Sequence, residues 1–191
     1  TTKDAAMAIL SKIIRGEIAD VTVDSKGNKF YASFPFDSGH NAADSSFWEF
    51  FVSTNIDPAM TAMTWGSPPV SPTGFSAPAF ALNTPIDTML TSVAATSGVY
   101  TESGLAFMQP VNPTNLATLK QRGAKVMVYH GVSDPIFSAN DTANWYEGLR
   151  TNNSGDASNF ARYYPVPGMS HCGMGPATDQ FDMLTSLGNW V

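Results

Sequence analysis

The spacing of hydrophobic residues changes along this 191-residue chain. Over residues 4–15 apolar side chains recur at helical intervals, which predicts an amphipathic helix. Apolar and polar positions then alternate over 21–34 around Gly27, a pattern that predicts strand, turn and strand. From 35 to 113 no period is sustained, and aromatic residues are scattered among Pro, Ser, Thr and Asn. This stretch is predicted to be an irregular, aromatic-rich part with short helices.

A regular pattern returns after residue 113. The predicted elements are a helix capped by Thr114, a strand over 125–130, a helix capped by Ser138, a strand over 160–166 and a helix capped by Thr178. Strand, helix and strand joined by short loops form a βαβ unit with parallel strands. The predicted fold class is therefore α/β, with an irregular portion over 1–113 and a regular portion over 114–191.

Composition excludes several classes of partner. Charged residues make up only 14% of the chain and its net charge is −6, so no basic surface for nucleic acid or an anionic membrane is expected. Sparse charge and abundant small polar residues favour a secreted or periplasmic protein. Three histidines and a single cysteine show no zinc-ligand spacing, so no metal site is predicted.

Two ionisable residues follow the predicted parallel strands. Asp134 comes after the first strand and His171 after the second, and the carboxyl ends of parallel strands lie at one edge of a sheet. A carboxylate bonded to an imidazole fixes its tautomer, which is the supporting half of an acyl-transfer triad. Acid before base is also the order in α/β-hydrolases. From spacing alone, a turn-forming Asp134 and a loop His171 without chemistry are an equally open alternative.

No nucleophile accompanies this pair in the sequence. The chain contains no G-x-S-x-G motif, which presents the serine of an α/β-hydrolase. Ser133, Ser170 and Cys172 each adjoin the acid or the base along the chain, an arrangement that points their side chains elsewhere. The sequence therefore predicts an acid and a base without the attacking group.

Two segments resemble the C-terminal part of the tannase/feruloyl esterase family, and within it most the branch of mono(hydroxyethyl) terephthalate hydrolases. They are VMVYHGVSDPIFSANDTANWYEGL and FARYYPVPGMSHCGMGPATDQFDMLTSLGNWV. The resemblance implies the C-terminal part of an α/β-hydrolase fold plus a portion of its inserted lid, here 1–113. It also implies a serine hydrolase of aromatic or phenolic esters in which Asp134 and His171 are catalytic. An inactive relative that binds aromatic ligands through its lid is the alternative.

The same resemblance explains the lone cysteine. In the family the nucleophilic serine follows a cysteine, and that cysteine forms a disulfide with the one after the catalytic histidine, here Cys172. We expect this chain to be one piece of a larger enzyme, whose upstream segment or second chain supplies the serine and the oxyanion donors. No cofactor is expected in the chain itself; a structural calcium is implied only for the absent part of the lid.

Aromatic residues near the predicted pair suggest a substrate site. Phe137 lies at the rim and, with His130 at the strand end and the lid aromatics Trp48 and Phe51, is predicted to sandwich a planar phenolic group. A structural role for His130, and a place in the lid core for Trp48 and Phe51, remain open alternatives.

Positive charge is absent from the predicted lid. No Lys or Arg occurs between Lys29 and Lys120. The terephthalate-monoester branch is known for a lid arginine that binds the free carboxylate of the substrate. The resemblance and this absence together predict a small, neutral aromatic ester as the substrate.

Overall fold

The computed structural model of the chain describes residues 23–35, 51–52, 54–134, 136–171 and 173–191. The helix predicted over 4–15, the aromatic Trp48 and the cysteine Cys172 lie outside the described residues. Among the described residues no helix is long and apolar enough to cross a membrane.

Seven α-helices and two strands are assigned in the described part. The helices are α1 (Asp57–Met60), which continues as a π-helical turn over Thr61–Trp65, α2 (Ala77–Asn83), α3 (Ile86–Ala94), α4 (Gly104–Met108), α5 (Ala117–Gln121), α6 (Ala139–Thr151) and α7 (Met183–Trp190). The strands are β1 (Val126–Gly131) and β2 (Ala161–Val166). The molecule is thus of mixed helix and strand composition, consistent with the predicted α/β class.

The two strands pair in parallel, as their sequence pattern predicts. Val126 of β1 is opposite Ala161 of β2, and Gly131 is opposite Val166 at the other end. Helix α6 connects them, so the predicted βαβ unit is confirmed. Because the strands are in register, their carboxyl ends finish side by side.

One of the three predicted helix caps is confirmed. The Ser138 hydroxyl accepts a hydrogen bond from the Asn140 N–H at 3.1 Å and caps α6. The caps predicted at Thr114 and Thr178 are wrong. Helix α5 begins after Leu116 without a side-chain cap, and α7 begins after Asp182, whose carboxylate accepts from the Thr185 N–H at 2.9 Å.

The hydrophobic core lies between α6 and the sheet. It consists of the buried residues Leu149, Ala157, Phe160 and Ala161, with the partly buried Leu116, Leu119, Val126, Trp145 and Tyr146 packed around them. The Tyr163 hydroxyl of β2 donates to the Ala139 carbonyl at 3.1 Å and ties the start of α6 to the sheet. The helix that follows β1 is thereby held against both strands.

Between 23 and 113 the described residues form short helices, turns and isolated bridges. Gly27 lies in a turn with a φ of 81°. Of the strand, turn and strand predicted over 21–34, the described residues from 23 onward show one antiparallel bridge, between Val23 and Lys29, in place of two strands. Short helices α1 to α4 follow between 57 and 108. That this portion acts as a lid stays a prediction.

A short segment before these helices contacts the α/β part. The Ser138 N–H donates to the Tyr31 hydroxyl at 3.1 Å, and the Ser138 hydroxyl donates to the Ser33 carbonyl at 2.7 Å. Asn140 also donates to the Ser33 carbonyl, at 2.8 Å. These bonds secure the N-terminus of α6, directly after the loop that carries Asp134.

Candidate active site

The ends of β1 and β2 lead into two loops that touch. A Cβ added at Gly131 would lie 2.2 Å from the Met169 carbonyl oxygen and 2.6 Å from that of Ser170. Only glycine allows the backbones to approach this closely. The Ser133 N–H donates to the same Met169 carbonyl at 3.0 Å. The loop after β1 is therefore bonded directly to the loop that leads to His171.

Asp134 and His171 meet across these loops. Nδ1 of His171 lies 3.0 Å from Oδ2 of Asp134, within hydrogen-bonding range. Asp134 is 4% exposed, while the side chain of His171 is 23% exposed. A buried carboxylate thus faces a partly accessible imidazole, as the sequence predicts.

The second oxygen of Asp134 is bound by its own loop. Oδ1 accepts hydrogen bonds from the backbone N–H groups of Ile136 at 2.8 Å and Phe137 at 3.0 Å. These bonds orient the carboxylate so that Oδ2 faces His171. Short local bonds of this kind are typical of Asp in turns.

A third residue, His130 at the end of β1, also contacts this carboxylate. Its Nε2 lies 3.2 Å from Asp134 Oδ2 and 3.1 Å from the Phe137 carbonyl oxygen. Its Nδ1 lies 2.8 Å from the Thr142 hydroxyl on α6. Sequence reasoning missed this contact and that of Thr142, although the four-residue spacing of His130 and Asp134 around a strand end was visible.

The Asp134 carboxylate is strongly acidic in this environment. Burial by itself disfavours the charged form, but the hydrogen bonds from His130, Phe137, Ile136 and His171 outweigh it and lower the pKa of Asp134 to about 2. At neutral pH Asp134 is therefore ionised and accepts from the groups around it.

Phe137 lies next to His171 on the accessible side. The two ring centroids are 5.5 Å apart at an interplanar angle of 51°, and Phe137 is 53% exposed. A cavity of about 260 Å³ opens here, lined by Tyr129, His130, Gly131, Asp134, Met169 and His171. An exposed aromatic ring thus flanks the cavity that contains the acid–base pair.

The other two predicted substrate residues are Phe51 and Trp48. Phe51 is 46% exposed, and its carbonyl accepts from Asn55 within its own helical segment at 3.1 Å. Trp48 lies outside the described residues. The contribution of both side chains stays a prediction.

Chemistry, rather than size, distinguishes this cavity. A similar cavity of about 290 Å³ lies against the apolar side chains of Val166, Phe181 and Met183 and contains no ionisable pair. In the described part of the chain, no group of three or more His, Cys, Asp or Glu is arranged to hold a metal ion.

Comparison with known proteins identifies the family of this chain. The family model for tannase and feruloyl esterase matches residues 3–191. The chain belongs to this family. The family assignment made from the sequence is thereby confirmed.

Individual relatives are ester hydrolases. The mono(2-hydroxyethyl) terephthalate hydrolase of Piscinibacter sakaiensis is 50% identical over 97 residues, covering 51% of this chain and 16% of the relative. Feruloyl esterase C of Talaromyces stipitatus is 34% identical over 88 residues, covering 41% and 16%. Feruloyl esterase B of Aspergillus niger is 36% identical over 96 residues, covering 40% and 18%. The chain therefore aligns with less than a fifth of each of these enzymes.

Proposed function

We propose that this chain supplies the acid and the base of a serine carboxylic-ester hydrolase. The observation that carries the proposal is the 3.0 Å contact between Asp134 Oδ2 and His171 Nδ1 at the shared edge of the parallel strands. Family membership adds ester hydrolysis as the reaction class. The assignment of His171 as base and Asp134 as its orienting acid rests on this geometry.

The reaction proceeds by proton transfer at His171. Ionised Asp134 accepts from Nδ1–H, which leaves Nε2 as the nitrogen that takes the proton of a serine hydroxyl. The serine oxygen bonds to the ester carbonyl carbon, and the imidazolium then returns the proton to the departing alcohol. Water attacks the resulting acyl-enzyme by the same route, releasing the carboxylic acid and the free serine.

The attacking serine is proposed to lie outside this chain, in a further part of the same enzyme. Support comes from the sequence, which lacks a nucleophile motif, and from relatives that extend well beyond the aligned region. Cys172, which adjoins His171, is proposed to form a disulfide with a cysteine next to that serine. Intact mass of the enzyme before and after reduction tests this pairing. Reduction is expected either to release a second polypeptide or, if both cysteines are in one polypeptide, to raise its mass by about 2 Da.

The proposed substrate is a small ester with an aromatic acyl group. Phe137 offers an exposed ring beside His171, and aromatic rings pack face-offset or edge-on with planar groups. Relatives named as terephthalate-monoester and feruloyl esterases share an aromatic acid product. Because no Lys or Arg occurs between Lys29 and Lys120, a neutral or phenolic acyl group is favoured over one with a free carboxylate.

A secreted or periplasmic location is proposed with the disulfide. Disulfides persist in oxidising compartments and are rare in the cytosol. Fractionation of the source cells, followed by immunodetection of this chain, tests the location; recovery in the cytosolic fraction alone contradicts it.

Covalent labelling with a fluorophosphonate tests the function. The intact enzyme is expected to be labelled at a serine, and His171→Ala is expected to abolish labelling because the hydroxyl is no longer activated. Glu102→Gln is the control, since this exposed carboxylate is distant in sequence from Asp134 and His171, and the variant should label normally. Absence of labelling in folded, unaltered enzyme that still binds aromatic acids would instead identify an inactive binding protein.

A further inference from the structure

The carboxylate of Asp134 serves two imidazole rings, whereas a catalytic triad requires one. Oδ2 lies 3.0 Å from His171 Nδ1 and 3.2 Å from His130 Nε2. His171 comes from the loop after β2, and His130 is part of β1 itself. The second ring therefore approaches the same oxygen from a rigid element of the sheet.

The surroundings of His130 specify where its protons lie. Nε2 faces two acceptors, the Asp134 carboxylate and the Phe137 carbonyl at 3.1 Å. An unprotonated Nε2 would direct its lone pair at both oxygens, so this nitrogen carries the hydrogen. Nδ1 faces the Thr142 hydroxyl at 2.8 Å, a group that can donate to a ring nitrogen without a hydrogen.

We propose that His130 is a positioning residue of the acid–base pair. In this proposal the Thr142 hydroxyl donates to Nδ1 and holds the ring in its Nε2–H tautomer, so that Nε2–H holds Asp134 Oδ2 in line with His171. Asp134 then has a bond to β1 through Oδ2 and bonds to its own loop through Oδ1. Thr142 belongs to α6, so through His130 the carboxylate is held by both the strand and the helix. The effect of this arrangement on catalysis rests on the proposed function, whereas the tautomer expected for His130 does not.

This role also accounts for both nitrogens of His130. Each is engaged within the protein, one by Asp134 and Phe137 and the other by Thr142. A ring used in this way has no nitrogen directed at a substrate. The inference therefore favours the positioning role over the substrate contact that the sequence left open for His130.

Nuclear magnetic resonance of the chain labelled with [15N]histidine tests the tautomer. The chain has three histidines, so each ring can be assigned by a single His→Gln variant. At neutral pH His130 is expected to show the Nε2–H pattern, and His171 is expected to show a downfield Nδ1 proton from its bond to Asp134. A His130 ring that is protonated at Nδ1, alone or together with Nε2, would overturn the proposal.

A matched pair of variants at Thr142 tests the lock. Thr142→Ser keeps the hydroxyl and should retain both ring patterns, whereas Thr142→Val removes it at nearly constant shape. In the valine variant His130 is expected to populate both tautomers and the His171 proton to broaden or disappear. Unchanged patterns in a folded Thr142→Val variant would contradict the lock; if that variant does not fold, the unaltered chain still decides the tautomer.

Turnover in the intact enzyme separates this inference from the proposed function. His130→Leu is expected to lower kcat about 10- to 100-fold with little change in KM, since small misplacement of a catalytic group has effects of this size. His130→Gln, which keeps an N–H donor, should recover part of the loss. If the unaltered enzyme hydrolyses no ester while His130 shows the predicted tautomer, the function fails and the positioning geometry stands.

Discussion

The Met169 carbonyl oxygen occupies the space that a side chain at Gly131 would need. A Cβ there would lie 2.2 Å from this oxygen, far inside van der Waals contact. The two loops that carry Asp134 and His171 are packed backbone to backbone at this point. The close approach is therefore a condition for the 3.0 Å contact between the acid and the base.

Gly131→Ala is expected to destabilise the chain by about 2 to 4 kcal/mol, because backbone rather than a flexible side chain must move. It should also separate Asp134 from His171 and abolish the downfield His171 proton. Denaturant unfolding measures the first effect. Gly188→Ala is the matched control: it lies in α7 with nothing near its added Cβ, and should stabilise the chain by about 0.5 to 1 kcal/mol.

Acid should weaken the fold through Asp134. The pKa of Asp134 is lowered from 3.8 to about 2 in the folded chain, so ionisation favours the folded state above about pH 4. This contribution, about 2 kcal/mol, is lost as the pH falls from about 4 to about 2. Urea unfolding of the unaltered chain at pH 6 and pH 2.5 should show this loss.

The loss of unfolding free energy between pH 6 and pH 2.5 should be smaller in Asp134→Asn by most of these about 2 kcal/mol, because the variant has no carboxyl group to titrate at this position. Glu102→Gln, at an exposed position, should follow the unaltered chain at both values. Equal acid sensitivity of the Asp134→Asn variant and the unaltered chain would show that Asp134 is not held in its ionised form by its hydrogen bonds.

Helix α6 should be the most sensitive element to a change in the core. Leu149 is fully buried between α6 and the sheet, and Leu149→Ala is expected to cost about 3 kcal/mol through lost burial and the resulting cavity. Leu184→Ala provides the comparison, since Leu184 is 81% exposed on α7 and should change stability by less than about 0.5 kcal/mol. Comparable costs at the two positions would contradict the placement of the core.

Phe137 should set the preference for aromatic acyl groups. Its ring lies 5.5 Å from that of His171 and is half exposed, so a planar acyl group can pack on it. In the intact enzyme Phe137→Leu is expected to lower kcat/KM for an aromatic acyl ester about 10-fold and to leave an acetyl ester of the same alcohol nearly unchanged. Equal losses on both esters would exclude Phe137 from acyl selection.

The sequence predicts the βαβ unit because its signals are local. Short apolar runs predict strands over 125–130 and 160–166, and Ser138 stands directly before a helical period, so the predicted limits lie within about a residue of the observed ones. The cap predicted at Thr114 fails because a tertiary contact competes: the Thr114 hydroxyl and carbonyl instead accept from Asn152 on the neighbouring helix end. The cap predicted at Thr178 fails because the helix begins later, after Asp182, whose carboxylate accepts from the Thr185 N–H. A cap that is predicted from sequence takes no account of such tertiary partners.

The candidate site is predictable only in part for a similar reason. Asp134 and His171 follow from their positions after parallel strands, which a pattern can place at one edge. The bonds of His130 to Asp134 and Thr142 depend on ring orientation and on how α6 packs, which no periodicity encodes. The backbone contact at Gly131 likewise depends on how the two loops pack, which the glycine alone does not reveal.

Steady-state hydrolysis of a chromogenic aromatic ester by the intact enzyme tests the central claim most directly. His171→Ala and Asp134→Asn are each expected to lower kcat by at least about 10³-fold, and their combination to cost little more, because they act as one unit. Glu102→Gln should retain full activity. A loss below about 10-fold in either single variant, with the fold intact, would contradict the assignment of Asp134 and His171 as the acid–base pair.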